Sequence, residues 1–157
     1  MTSESVASRP VEFDLVPKPE LHLAGKTCIA FLALLGLGAI GGGIGIVIKP
    51  DGSAMQWNVD MLAGSPFSDF LIPGLILLGL FGIGSFVVVG LGLARLRMAP
   101  FLAFAIGCGQ MIWITVELAI LGELSFLHPT MFAIGLAIAA TAVPWGWPTF
   151  KGWRAAR

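Results

Sequence analysis

The sequence predicts an all-α membrane protein, a four-transmembrane-helix bundle with up-down topology and both termini cytoplasmic. Three observations carry this. The chain of 157 residues is 57% hydrophobic and only 11% charged, where soluble domains run about 25% charged. A soluble chain of this length keeps too much surface for its volume to hide so many apolar side chains. Next, Thr27–Ile48 and Phe70–Ala94 each run without a charged residue, as long as the roughly 20 apolar residues that a helix needs to cross a bilayer core. Last, Lys and Arg fall almost entirely on one side of the bundle these runs imply. A β-barrel would instead show alternating segments of roughly ten residues.

The N-terminal arm, residues 1–26, carries Glu4, Glu12, Asp14 and Glu20. The apolar run after it exceeds the 7–15 residues of a signal-peptide core, so the first span is expected to be retained. Pro10, Pro17 and Pro19 make the arm extended, and Val11, Phe13, Leu15 and Val16 give it apolar points for docking on a partner.

The membrane domain is residues 27–147. Span one, 27–48, ends at Lys49, Pro50, Asp51 and Gly52, where helix breakers and charge coincide. Span two, 70–94, is closed by Arg95 and Arg97. Span three, 100–121, opens on Pro100, well suited to a first helical turn. Span four, 129–147, opens on Pro129 and is limited by Pro144 and Pro148. Residues 148–157 form a tail. Arg9, Lys18, Lys26, Arg95, Arg97, Lys151, Arg154 and Arg157 then lie on one side, against Lys49 on the other. Basic residues favour the cytoplasmic side, which sends the loops 49–69 and 122–128 outward. Trp57 falls at the outer interface and Trp145, Trp147 and Trp153 at the inner one, where an aromatic belt is expected.

Gly36–Gly41 reads GLGAIG and matches the dinucleotide fingerprint literally. That motif needs a strand before it and a helix starting at it, and here it lies mid-span. Helix packing explains the glycines better. Gly38 and Gly42, and Gly41 and Gly45, are four apart, so small residues share a face that lets backbones approach. Gly79, Gly82, Gly84 and Gly90 give span two a similar character. The same faces suit a second copy or another membrane protein equally well.

In the outer loop, Ser65 and Asp69 are placed to cap the start of span two, and Pro73 falls early enough in that helix to cost little. The string SPFSDFLIPGLILLGLFGIG, residues 65–84, resembles a signature of small four-span bacterial inner-membrane proteins of uncharacterised function. The resemblance covers about residues 60–145. It implies a four-helix inner-membrane fold and supplies no activity or catalytic residue. The arm lies outside that pattern.

Glu117 stands inside span three, four residues before its end, and shares one helix face with Gln110 and Trp113. Three readings compete for this stripe. Glu117 bonds a neighbouring helix; or Gln110, Trp113 and Glu117 line a cavity for a lipid head group, quinone or other amphipath; or Glu117 pairs with a residue of a larger membrane protein. A proton relay needs a chain of ionisable groups across the bilayer, and Glu117 is alone within the four spans. His22 and His128 fall on opposite sides and cannot share a haem iron. Glu123 and His128 are neighbours, but two ligands do not make a metal site. Cys28 and Cys108 lack a nearby partner and suit apolar packing. The sequence holds no nucleophile–base pair and no carboxylate dyad, so no catalytic residue, metal or cofactor is expected, and zero net charge points to no nucleic-acid partner. The expected function is a non-catalytic accessory or assembly subunit of a larger bacterial inner-membrane complex, energy-transducing or of another kind. The alternative is a small ligand-binding or transport protein built around Glu117.

Overall fold

The computed structural model describes residues 21–122 and 125–155, with side chains placed through 148. Most of the arm, Glu123, the side chain of Trp153 and the tail cations lie outside the described residues. Four helices account for the membrane domain: α1 Leu23–Ile48, α2 Leu71–Leu93, α3 Ala99–Leu121 and α4 Leu127–Ala155. Each contains a span long and apolar enough to cross a membrane. The described residues contain no strand. Leu34, Leu37, Leu75, Leu80, Ile112 and Leu136 are exposed, the outward apolar surface that a bilayer covers and water would not.

α1 starts before Thr27, because nothing in Leu-Ala-Gly-Lys stops a helix and the His22 carbonyl already accepts the Lys26 N–H at 3.1 Å. Its 26 residues reach about 39 Å at 1.5 Å per residue. That exceeds a hydrocarbon core of about 30 Å, so the helix tilts or its ends emerge. α2 begins where Asp69 accepts the Leu71 N–H at 2.9 Å. Ser65 instead holds the turn before it, accepting the Phe67 N–H at 3.2 Å. Between Leu77 and Ile83 the helix widens into π turns. No pattern in the sequence announces this bulge; it turns Phe81 inward and brings Gly82 onto α1. α2 ends with Arg95 in the left-handed region, φ 56°. The Leu96 and Arg95 N–H groups reach back to Leu91 and Gly92 at 2.9 and 3.0 Å, a Schellman-type stop. Gly122, φ 67°, ends α3 in the same conformation.

α4 runs through Pro144 and Pro148 and does not stop at them. Proline removes one helix hydrogen bond, yet membrane helices tolerate this when neighbours hold the segment. Here Thr141 donates to the Ala137 and Ile138 carbonyls at 2.6 and 3.2 Å, and Trp145 is gripped on two sides. A Cβ at Gly25 of α1 would lie 3.0 Å from its indole, and one at Gly92 of α2 would lie 2.9 Å from it. Trp145 is therefore 1% exposed, a core wedge joining three helices and not a belt residue, whereas Trp147 is 54% exposed.

Consecutive helices run antiparallel, and glycines set the distances. On the α1–α2 face, Gly43 lies against Leu78, Gly36 against Phe86 and Gly74 against Ile46. On the α3–α4 face, a Cβ at Gly107 would come 2.7 Å from the Ala139 nitrogen and the Gly135 oxygen. The α1–α2 contact thus uses Gly36 and Gly43, each two residues, or just over half a turn, from the Gly38 and Gly41 that spacing singled out. Four-residue spacing identifies a face but not which of two adjacent faces the partner takes.

At one end of the bundle the segment 49–70 folds over the helix ends. Phe70 N–H reaches the Pro50 carbonyl at 2.9 Å, Trp57 and Phe70 rings lie 5.4 Å apart, and Leu62 and Phe70 are buried with Ile46. Asp51 closes a tight turn by accepting the Ser53 N–H at 3.0 Å, which holds its carboxyl below the ordinary range. Gly52 sits at φ 81°, and a Cβ there would meet the Trp57 oxygen at 2.8 Å.

These contacts predict a contrast between glycines. Gly107→Ala should lower stability by about 1–3 kcal/mol, because backbone atoms cannot move aside. Gly90→Ala, where a Cβ meets nothing within 4 Å, should be neutral or gain up to about 1 kcal/mol of helix propensity. Unfolding titrations in mixed micelles measure both; equal effects would show that the α3–α4 approach is not tight.

Candidate functional site

Gln110, Trp113 and Glu117 do share a face of α3, and that face looks into a cavity of about 340 Å³. α1 supplies one wall with Leu35, Gly38, Ala39, Gly42 and Ile46. The folded loop covers one end with Met55, Trp57 and Met61. α2 contributes Leu77, and the start of α4 contributes Leu127, His128 and Met131, with Ser125 just before it. A smaller void of about 90 Å³ adjoins it behind Trp57, Leu77, Trp113 and Glu117.

The α3–α4 register places the polar groups. The same antiparallel pairing that sets Gly107 on Ala139 sets Gln110 on Gly135, where a Cβ would lie 3.2 Å from the Gln110 Cβ and Cγ. A glycine at 135 leaves the room that the Gln110 side chain fills. Continued toward the loop end, this pairing brings Glu117 to the level of His128. Both side chains line the cavity. Ser125 N–H donates to His128 Nδ1 at 3.1 Å, and Ser125 Oγ accepts the Leu127 N–H at 3.1 Å. With Nδ1 accepting, the neutral imidazole carries its proton on Nε2. Trp113 is held by Phe81, ring centroids 5.9 Å apart.

Gln110 is 2% exposed, and its amide oxygen has no hydrogen-bond partner. Buried polar atoms are paired in the great majority of cases; the Ser85 hydroxyl and the Trp145 indole nitrogen are also without a partner, but of the three it is Gln110 that lines the cavity. Gln110 lies seven residues from Glu117, about 10 Å deeper along α3. The cavity therefore has a polar end at Glu117, Ser125 and His128, an apolar body, and one amide at depth. A few placed polar groups in a largely apolar hollow of this size are the usual make-up of a small-molecule site. Among the described residues no three His, Cys, Asp or Glu side chains converge.

The four glycines singled out by spacing divide. Gly38 and Gly42 form cavity wall. Gly45 packs under the loop, where an added Cβ would lie 3.1 Å from Met55. A Cβ at Gly41 meets nothing within 4 Å. Gly38 is also open: a Cβ there meets nothing within 4 Å although the residue lines the cavity. Gly38 is exposed as well as lining the cavity, so the hollow has an opening on that side of α1. Spacing on α3 found the polar stripe; the contributions of Ser125, His128, Met131 and the loop needed the tertiary register.

Gln110→Leu removes the orphan oxygen, whose burial costs about 1–3 kcal/mol. The variant should be as stable as the parent or gain about 1 kcal/mol in thermal or denaturant unfolding. A loss above about 2 kcal/mol would show that Gln110 has a structural partner.

Compared with protein-family models, curated proteins and solved structures, the chain finds no match.

Proposed function

We propose that this protein is a membrane-embedded binding protein for a small amphipath, with the ligand's polar end at Glu117 and His128 and its apolar body between α1, α3 and α4. One observation carries the reading. Gln110, Trp113 and Glu117 line one cavity, and the deepest of them holds an unpaired buried oxygen. The opening at Gly38 gives a ligand dissolved in the bilayer a route that avoids water. In this reading the chain carries no catalytic residue of its own. A quinone or a single-chain lipid has the right general shape.

The orientation belongs to the same proposal. Lys26, Arg95 and Arg97 stand at the end opposite the folded loop, and Lys49 at the loop end. Basic residues favour the cytoplasmic face, so the cavity lies in the outer half of a bacterial inner membrane, and both termini are cytoplasmic. A second reading, an accessory subunit of a larger complex, is favoured by a separate observation. Gly41, Gly79 and Gly90 are exposed and open, sites where another helix could approach closely. A fixed-ratio partner in a mild-detergent pull-down would establish it, and that outcome is compatible with a ligand in the cavity.

The binding reading predicts that protein purified gently from its own membrane carries one small amphipathic molecule per chain in native mass analysis. Gly38→Phe, at a position where an added Cβ meets nothing within 4 Å, places a ring at the side opening and should cut that occupancy about tenfold, equivalent to about 1.4 kcal/mol of binding. Wild-type protein that is empty under conditions that preserve its fold would reject the reading.

A further inference from the structure

The polar end of the cavity also defines what chemistry it accepts. The polar side chains there are Glu117, Ser125 and His128, and none of them is a permanent cation. Glu117 offers carboxylate oxygens. Ser125 Oγ already accepts the Leu127 N–H, and His128 Nδ1 already accepts the Ser125 N–H. No Lys or Arg is among the described residues lining either the cavity or the void beside it. The nearest basic residue in sequence on the loop, Lys49, is exposed and lines neither. At depth, Gln110 adds a second acceptor without a partner, its amide oxygen.

We propose that the site selects amphipaths with a hydrogen-bond-donating head, an amine or an alcohol, and turns away those headed by carboxylate or phosphate. An ammonium or hydroxyl at the mouth donates to the Glu117 carboxylate in a setting largely shielded from water, where charge-assisted hydrogen bonds are strong. A carboxylate or phosphate in the same place would face Glu117 with no Lys or Arg among the described lining residues to offset the repulsion. This rests on the cavity being a ligand site, as proposed above, and adds the class of head group that fits it. The 10 Å between the levels of Glu117 and Gln110, estimated from the helix rise, suits a single chain whose remainder leaves through the side opening at Gly38.

The test uses three probes of equal length, 11-bromoundecylamine, 11-bromoundecanol and 11-bromoundecanoate. Each is added to the full-length protein in neutral-detergent micelles, and bromine quenching of tryptophan fluorescence is followed. Trp57→Phe and Trp113→Phe, singly and together, identify the share of the signal that arises at the two indoles lining the cavity. The expected result is saturable quenching by the amine and the alcohol at least about tenfold tighter than by the carboxylate, with the double variant removing most of it. Glu117→Gln should then erase most of the amine's advantage over the carboxylate while the alcohol still binds. Equal or tighter binding of the carboxylate to the wild-type protein would overturn the selectivity and leave the cavity as a site. A ratio unchanged in Glu117→Gln would overturn the role of the carboxylate. Absence of saturable quenching by all three probes would reject the ligand site itself, and the selectivity with it. The wild-type ratio decides the matter even if Glu117→Gln fails to fold.

Discussion

The close approach of α3 and α4 is the constraint on which the rest of this molecule depends. At Gly107 and Gly135 the two backbones meet with no room for a Cβ on Gly107. In a bilayer there is no hydrophobic drive between helices, because lipid tails are as apolar as leucine. Association comes from fitted packing, and small residues make it possible. This one contact fixes the register of α4 on α3. The register then decides that Gln110 lies in the space left by Gly135 and that Glu117 comes level with His128. Had α4 slid by one turn, the polar stripe of α3 would face an apolar partner and the acceptors would be scattered.

The two ends of the bundle are built to opposite purposes. At the end with Arg95 and Arg97, Trp145 fills the space among α1, α2 and α4, and glycines on both sides admit it. Cys28 tightens the same region, its Sγ lying 3.6 Å from the Ile138 carbonyl. Here the helices are tied together. Toward the loop Gly38 is exposed beside the cavity, and the segment 49–70 covers one end of the hollow. The π turns of α2 lie between these regimes. Such bulges concentrate at functional sites because they re-aim side chains locally, and this one turns Leu77 and Phe81 toward the cavity and its tryptophan. A closed end and an open end in one short bundle favour a hollow that persists over one that collapses.

The fold was legible because its signals are local. Runs without charge, as in Thr27–Ile48, report membrane spans directly, and Lys49 and Arg95 punctuate them. The polar stripe of α3 was legible for the same reason, since Gln110, Trp113 and Glu117 are set by helical spacing alone. What remained hidden depends on neighbours. Pro144 reads as a helix stop until Trp145 and Thr141 are seen to hold the helix through it. Trp145 reads as an interfacial residue until Gly25 and Gly92 are seen to enclose it. Gly38 reads as a packing glycine, yet it lines an opening, because spacing cannot tell which face of α1 is covered. His128 reads as an isolated polar residue of a loop, and it meets Glu117 only through the register that Gly107 and Gly135 impose.

The measurement that bears most directly on the cavity is an experimental structure of the protein taken from its own lipids, for example by crystallisation from a lipidic mesophase. The predicted result is elongated density from the level of Glu117 toward Gln110, within hydrogen-bond distance of the Gln110 amide oxygen and passing out beside Gly38. The contradictory result is a closed bundle, with Trp113, Met131 and Leu35 in mutual contact and the Gln110 amide bonded to a neighbouring helix.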